Sequence, residues 1–299
     1  MKALLLGANG QVGQELLRAL APLGQVVATT RGGVLPNGKA CEVADFNQPD
    51  SLALLLQRIR PEVVVNAAAY TAVDRAEEDQ EAAWRANADS PGVLARWCAQ
   101  EKVPLVHYST DYVFDGQGQR PYREDDATAP LGVYGASKLA GEEAIRAAGG
   151  RHLIFRTAWV YASHGQNFLR TMLRVGAERE ELKVVADQVG TPTPAALIAD
   201  VTAQAIRHPA ALSGTWHLTA NGETSWHGFA EAIFAGAQAR GLIACAPKVL
   251  PITTSEYPTK AKRPAYSRLD TARLQADLGI VLPDWREGLA RVMGEFAAH

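Results

Sequence analysis

The hydrophobic pattern of this chain is a succession of short, continuous apolar runs, each followed by a stretch with apolar residues at helical spacing. The first run, Ala3-Leu4-Leu5-Leu6, leads into Gln14 to Leu20, and the second, Gln25 to Ala28, ends in Thr29-Thr30-Arg31. Glu42 to Phe46 reads as a short third strand, and Asn47-Gln48-Pro49-Asp50 opens a helix that runs to Arg60 and stops at Pro61. Glu62 to Tyr70 is a fourth strand with its exit. Residues 72 to 101 form a long, charged, helical region with Pro91 as a break or a new start, and Val103 to Ser109 is a fifth strand. A helix from Tyr134 and a strand from Arg151 to Thr157 follow. Runs apolar at every position are expected where helices cover both faces of a parallel sheet. The alternation therefore predicts an α/β fold, a doubly wound parallel sheet with right-handed crossovers.

Beyond residue 160 the alternation loosens. Phe168 to Ala177 reads as a helix, Leu182 to Ala186 as a strand, Asp187 to Pro194 as a loop and Ala195 to His208 as a helix. A strand at Thr215 to Leu218, a helix at Ser225 to Ala237, a Pro-rich loop over 247–264 and helices near 271–278 and 285–297 finish the chain. No repeat, low-complexity tract or clean linker separates the parts. Residues 1–160 are expected to form a dinucleotide-binding domain. Residues 161–299 would form mainly a smaller, interleaved α/β substrate lobe, with some segments returning to the first domain.

The chemistry sits where the runs end. Gly7-Ala8-Asn9-Gly10-Gln11-Val12-Gly13 lies between the first strand and the first helix, the context of a Rossmann-type dinucleotide fingerprint. There glycines let the backbone turn tightly and approach a pyrophosphate whose charge meets the helix N-terminus; a turn that serves only packing would use the same residues. The second strand ends in Arg31, where an NAD site commonly carries a carboxylate for the ribose 2′-hydroxyl. A guanidinium could meet a 2′-phosphate instead, so NADPH is expected to be accepted at least as well as NADH. Asp45 and Phe46 stand where an adenine would lie. Ala67, Ala68 and Ala69 are small enough for a backbone to lie against a cofactor, although close helix–sheet packing also favours small residues.

Residues 109–138 carry the reactive groups. Tyr134 and Lys138 are four apart on a helix and so share a face, where a cation beside a phenol would favour the phenolate. The strand end Ser109-Thr110-Asp111 precedes them, and Trp159 follows a later strand end. Ligands of doubly wound sheets bind beyond the carboxyl ends of the strands, so Gly7, Ala67, Ser109 and Trp159 should converge on one crevice. His107 reads as a core or crevice hydrogen-bonder, and Trp84, Trp97, Trp216, Trp226 and Trp285 as packing residues.

Composition narrows the class. A net charge of −2 leaves no basic footprint for nucleic acid or an anionic membrane, and no apolar stretch approaches a membrane span. Cys41, Cys98 and Cys245 are too few and too scattered for a disulfide framework or a metal knuckle. A soluble, cytoplasmic protein with no metal site is expected.

Taken together, the motifs resemble the extended short-chain dehydrogenase/reductase superfamily and, within it, the dTDP-4-dehydrorhamnose reductase family. The match runs nearly end to end, through Asn66 to Asp74, His107 to Gly116, Tyr134 to Lys138, Arg156 to Tyr161, Asn167-Phe168, Asp187-Gln188, Arg263-Pro264 and Ser267 to Asp270. Its most specific run is Ser109-Thr110-Asp111-Tyr112-Val113-Phe114. The resemblance implies that Tyr134 is the catalytic acid, with Lys138 as its partner and a ligand of the nicotinamide ribose. Thr110 would hydrogen-bond the sugar carbonyl, and Asp111 and Trp159 would contact a nucleotide-sugar substrate. Gly10, Gln11, Val12, Asp45, Phe46, Ala67, Ala68, Ala69 and Tyr108 match cofactor-contacting positions. Arg31 departs from relatives that carry an acid there. Some relatives hold Mg²⁺ between subunits through surface glutamates, which do not map onto this chain, so no metal is assigned. A homodimer is a further expectation. An epimerase or another reductase of nucleotide sugars would use the same triad, and a non-catalytic dinucleotide-binding subunit would keep the same fold.

Overall fold

The computed structural model describes residues 1–297. Its first half follows the predicted alternation: β1 (Lys2–Leu6), α1 (Gln11–Leu20), β2 (Gln25–Thr30), β3 (Glu42–Val43), α2 (Pro49–Ile59), β4 (Val63–Asn66), α3 (Val73–Ala76), α4 (Gln80–Trp84), α5 (Ser90–Glu101), β5 (Leu105–Thr110), α6 (Val133–Ala147) and β6 (His152–Thr157). The second half comprises β7 (Val160–Tyr161), α7 (Phe168–Gly176), β8 (Glu181–Val185), β9 (Val189–Gly190), β10 (Thr193–Pro194), α8 (Ala195–Arg207), β11 (Gly214–His217), β12 (Thr224–Ser225), α9 (Trp226–Ala239), β13 (Lys248–Ile252), α10 (Ala272–Leu278) and α11 (Trp285–Ala297).

Seven strands form one sheet in the order β11-β6-β5-β4-β1-β2-β3, every neighbouring pair parallel. The period of two along each strand feeds two cores. Ala3 and Leu5 of β1 face a layer with Leu16 and Leu20 of α1 and Ile198 and Ala199 of α8. Leu4 and Leu6 face the opposite layer, with Leu52 and Leu56 of α2 and Leu94 and Trp97 of α5. This double burial is why the strands read as unbroken apolar runs. A third cluster, built on Phe229, Phe234, Leu169 and Trp285, holds α7, α9 and α11 against the small parallel pair β8–β13. The strand β11 and the helix α8 come from beyond residue 160, yet β11 completes the large sheet and α8 packs beside α1.

The region 72–101 also breaks after α3, while Pro91 marks a new helix start, one of the two readings given to it, and the stretch 187–194 read as a loop carries the two-residue strands β9 and β10. A π-turn at Arg85–Asp89 joins α4 to α5, with Pro91 in the first turn of α5. Proline has no N–H to give the carbonyl one turn back, and the wider π-turn absorbs that loss without ending the helix. The Pro-rich loop over 247–264 contains β13, because Pro251 lies in a strand with a single neighbour, β8, where a missing amide costs little.

Candidate functional site

The strand order reverses direction between β1 and β4, and such a switch point opens a crevice beyond the carboxyl ends of the strands. Gly7 ends β1 there with φ +78°, and a Cβ on it would stand 2.6 Å from the Ala68 amide nitrogen. Gly13 is equally constrained, since a Cβ would reach 2.1 Å from the Gly7 carbonyl oxygen. Gly10 caps α1 in an extended conformation with no side-chain cap and no acid in the first turn. The first amides of α1 are thus left for an anion. Val12 packs towards the core, while Gln11 accepts a 2.7 Å hydrogen bond from Asn167, tying the glycine turn to the cap of α7.

Along the same rim, Arg31 is exposed where β2 ends. Asp45 accepts the Asn47 amide at 3.0 Å, whereas the Phe46 ring is buried with α2 and α5. The Phe46 carbonyl accepts a hydrogen bond from Ser90 Oγ at 2.9 Å. Ala67 and Ala68 are half-buried and Ala69 exposed, a wall without bulk. Tyr108 turns its hydroxyl away, to Thr202 of α8 at 2.8 Å, and presents its carbonyl to Lys138.

The sugar-side residues form a continuous set of contacts. Thr110 Oγ1 donates to Asp111 Oδ1 at 3.0 Å and accepts the Tyr112 amide at 3.2 Å. The Asp111 carboxyl is 2% exposed, and burial raises it to about 6 against the lowering influence of Ser267 and Thr110. Its Oδ2 is buried without a hydrogen bond of good geometry among the described residues. Tyr134 stands beside Thr110, Asp111 and the edge of the Tyr112 ring, whose centroid is 5.5 Å away. Trp159 adopts φ +47° and stacks on Trp226 with 3.5 Å between centroids and 5° between planes. Gly190 makes room for it: a Cβ there would lie 2.6 Å from the Trp159 indole and 2.9 Å from Ser267 Oγ. Gly190 thus lies between Trp159 and Ser267, and Ser267 and Thr110 both bear on Asp111, with Tyr134 beside Thr110.

The electrostatics of the Tyr134–Lys138 pair run against the expected phenolate. Burial pushes the Tyr134 phenol well above its ordinary range, with only Thr110 opposing. Lys138 is 2% exposed; burial lowers its amine to about 8, and Glu142 one turn on acts to raise it. The Lys138 amine bonds to the Tyr108 carbonyl and lies 3.4 Å from His107 Nε2. Tyr134 is therefore held as a neutral proton donor.

Several supporting residues gave no clear sequence signal. Asn87, fully buried in the π-turn, pairs with both the amide and the carbonyl of Tyr70 at 2.9 and 3.0 Å and donates to Ser137 Oγ at 3.1 Å. It joins the alanine wall to the helix that carries Tyr134. Beneath Lys138, Glu142 takes Arg156 Nε at 2.9 Å and Nη2 at 2.8 Å. Arg263 reaches both Asp74 at 2.6 Å and the Tyr112 hydroxyl at 3.2 Å, and so crosses the rim beside Tyr134. Trp226, expected only to pack, packs on Trp159 itself. Asn87 lay hidden in a stretch that reads as plain helix, and the Glu142–Arg156 pair joins residues on separate elements. Among the described residues no group of three or more His, Cys, Asp or Glu is placed to hold a metal ion, and no helix is long and apolar enough to cross a membrane.

Residues 1–298 match the family described as RmlD substrate binding domain. A dTDP-4-dehydrorhamnose reductase of Burkholderia thailandensis is 52% identical over 297 residues, covering 96% of each chain. The enzyme of the same name from Escherichia coli K12 is 47% identical over 298 residues, covering 99% of this chain and 98% of that one. Among solved structures, a Bacillus anthracis dTDP-4-dehydrorhamnose reductase in complex with NADP superposes with a TM-score of 0.89 at 35% identity, covering 98% of this chain and 99% of that one.

Proposed function

Because the chain belongs to the dTDP-4-dehydrorhamnose reductase family, we propose that it reduces the C4 carbonyl of dTDP-4-dehydro-L-rhamnose to give dTDP-L-rhamnose, with hydride from NADPH or NADH. The observation that carries the residue assignment is the hydrogen-bonded Thr110–Asp111 pair at the end of β5, with Tyr134 beside Thr110 and its phenol raised by burial. The glycine turn and alanine wall open beyond the neighbouring strand ends.

Gly7, Gly10, Gln11, Val12 and Gly13 would hold the pyrophosphate, Asp45 and the main chain at Phe46 the adenosine, and Arg31 a 2′-phosphate. Ala67, Ala68, Ala69 and the Tyr108 main chain would flank the nicotinamide half, with Lys138 on its ribose. When bound, the nicotinamide supplies the hydride. As C4 gains it, the carbonyl oxygen becomes negative, and hydrogen bonds from Tyr134 and from Thr110, its hydroxyl turned from Asp111 to the sugar, would stabilise that charge. Tyr134 delivers its proton to the oxygen, a step for which a phenol kept neutral by burial is the required form. Lys138 would stabilise the phenolate left behind until solvent returns a proton to it. Asp111, beside Thr110 and Ser267, would accept a sugar hydroxyl, and Trp159 would lie against the sugar ring.

The test is oxidation of NADPH by the purified protein with a small panel of 4-keto nucleotide sugars. Stoichiometric consumption with dTDP-4-dehydro-L-rhamnose is expected. Interconversion of sugars without net consumption would mean an epimerase, and no reaction with any sugar would mean a binding subunit. We place the enzyme in the cytoplasm, in keeping with its three free thiols, as a homodimer to be checked by light scattering.

A further inference from the structure

His107 lies on β5, 1% exposed, with a hydrogen-bond donor on each side. On one side is Asn66, the last residue of β4. Its Oδ1 accepts the Ala68 amide at 3.1 Å, so that atom must be the oxygen, and the amide nitrogen is the atom that faces His107 Nδ1 at 3.0 Å. On the other side is the Lys138 amine, 3.4 Å from Nε2. A neutral imidazole has one lone pair, so it cannot accept from both neighbours. The shorter contact and the locked Asn66 amide place the lone pair on Nδ1 and the proton on Nε2. Carrying both protons would leave a cation in a fully buried position beside Lys138, and burial holds the ring well below its ordinary range.

We infer that His107 is a positioning residue for Lys138. Fixed by Asn66 as the Nε2–H tautomer, it offers the amine no acceptor and leaves it the Tyr108 carbonyl as its acceptor on the sheet side. The remaining N–H groups of Lys138 are thereby turned to the crevice, where Tyr134 and the cofactor ribose would receive them. The inference rests on the role given to Lys138 above. It also gives the exit of β4 a second task, since the Ala68 amide that orients Asn66 belongs to the wall that meets the cofactor.

The charged and titratable groups around Lys138 are few. Glu142 comes from its own helix, His107 from β5, and Arg156 of β6 is bound to Glu142. Removing the Nε2–H dipole takes away one group that disfavours the ammonium.

Two substitutions separate positioning from simple packing. His107→Asn keeps an acceptor for Asn66 but withdraws the group that faces Lys138, and His107→Gln extends an amide back to that place. With His107→Asn, kcat should fall about tenfold, NADPH should bind more weakly, and the alkaline limb of the kcat profile should move to higher pH. His107→Gln should recover most of the rate and the wild-type profile. Equal losses in both variants with an unmoved profile, or a wild-type rate in His107→Asn, would overturn the inference. Nitrogen-15 NMR of histidine-labelled wild-type protein reads the tautomer without any variant: an unprotonated Nδ1 is expected, and a protonated Nδ1 overturns it. That spectrum decides the point even if no nucleotide sugar is turned over, an outcome that would instead defeat the functional assignment.

Discussion

The two walls of the crevice are made differently. On the glycine side, Gly7 and Gly13 hold main chain against main chain, and a Cβ on either collides. On the sugar side, Thr110, Asp111, Lys138, Glu142 and Arg156 are buried functional side chains, with Tyr134 half-buried beside them, and they are held by hydrogen bonds to one another and to the main chain. A cofactor common to many reactions needs a surface of fixed shape. A particular carbonyl needs donors whose protonation is set by burial.

That contrast can be broken in order of severity. Tyr134→Phe should lower kcat by about 10²–10⁴-fold while NADPH affinity, read by fluorescence titration, stays near wild type. A variant with undiminished turnover would remove Tyr134 from the chemistry. Arg156→Met leaves buried Glu142 with Arg146 as its remaining ion-pair partner, and should cost about 3–5 kcal/mol in urea unfolding. A loss below about 1 kcal/mol would mean that the sugar wall does not depend on its buried pair.

Gly7→Ala tests the other wall. A left-handed φ costs an L residue about 1–2 kcal/mol before the clash with Ala68 is counted, so NADPH affinity should weaken at least tenfold with the sugar wall intact. Lowering the pH tests Asp111. Its carboxyl, raised to about 6 by burial, is an acceptor above that pH and protonated below it. KM for the sugar should therefore rise as pH falls through 6, approaching tenfold per unit, with kcat less affected. Asp111→Asn should abolish the dependence, and an unchanged slope in that variant would assign the titration elsewhere. The smallest effect belongs to exposed Arg31. Arg31→Ala should weaken NADPH a few-fold, worth about 1 kcal/mol at such a site, and leave NADH unchanged. Equal loss for both cofactors would take Arg31 out of the choice.

The central sheet was legible because each of its main strands is buried on both faces, so Leu4-Leu5-Leu6 and Val63-Val64-Val65 declare themselves without any partner in view. The glycine turn was legible because its spacing is local. Tyr134 and Lys138 could be placed on one helical face, but not their protonation. That depends on Thr110, Tyr108 and His107, which come from another strand, and on burial, which no spacing reports. For the same reason Phe46 looked like an adenine contact when its ring is in the core, and Trp226 looked like plain packing when it backs Trp159. The strand β13 was hidden by Pro251, whose cost vanishes only once its single neighbour is known.

The late arrival of β11 and α8 has a consequence for how the chain folds. Leu153, Phe155, Leu16 and Leu20 are covered by residues 195–217, which leave the ribosome well after the glycine turn and the reactive helix. Until they arrive, β6 is a bare edge and half of one face is uncovered, so the nascent chain carries an exposed strand through much of its synthesis. Closing contacts between α1 and α8, far apart along the chain, is also slow. A chain stopped at residue 160 would hold nearly every catalytic group and still lack the pieces that finish its sheet, and aggregation would be its expected fate.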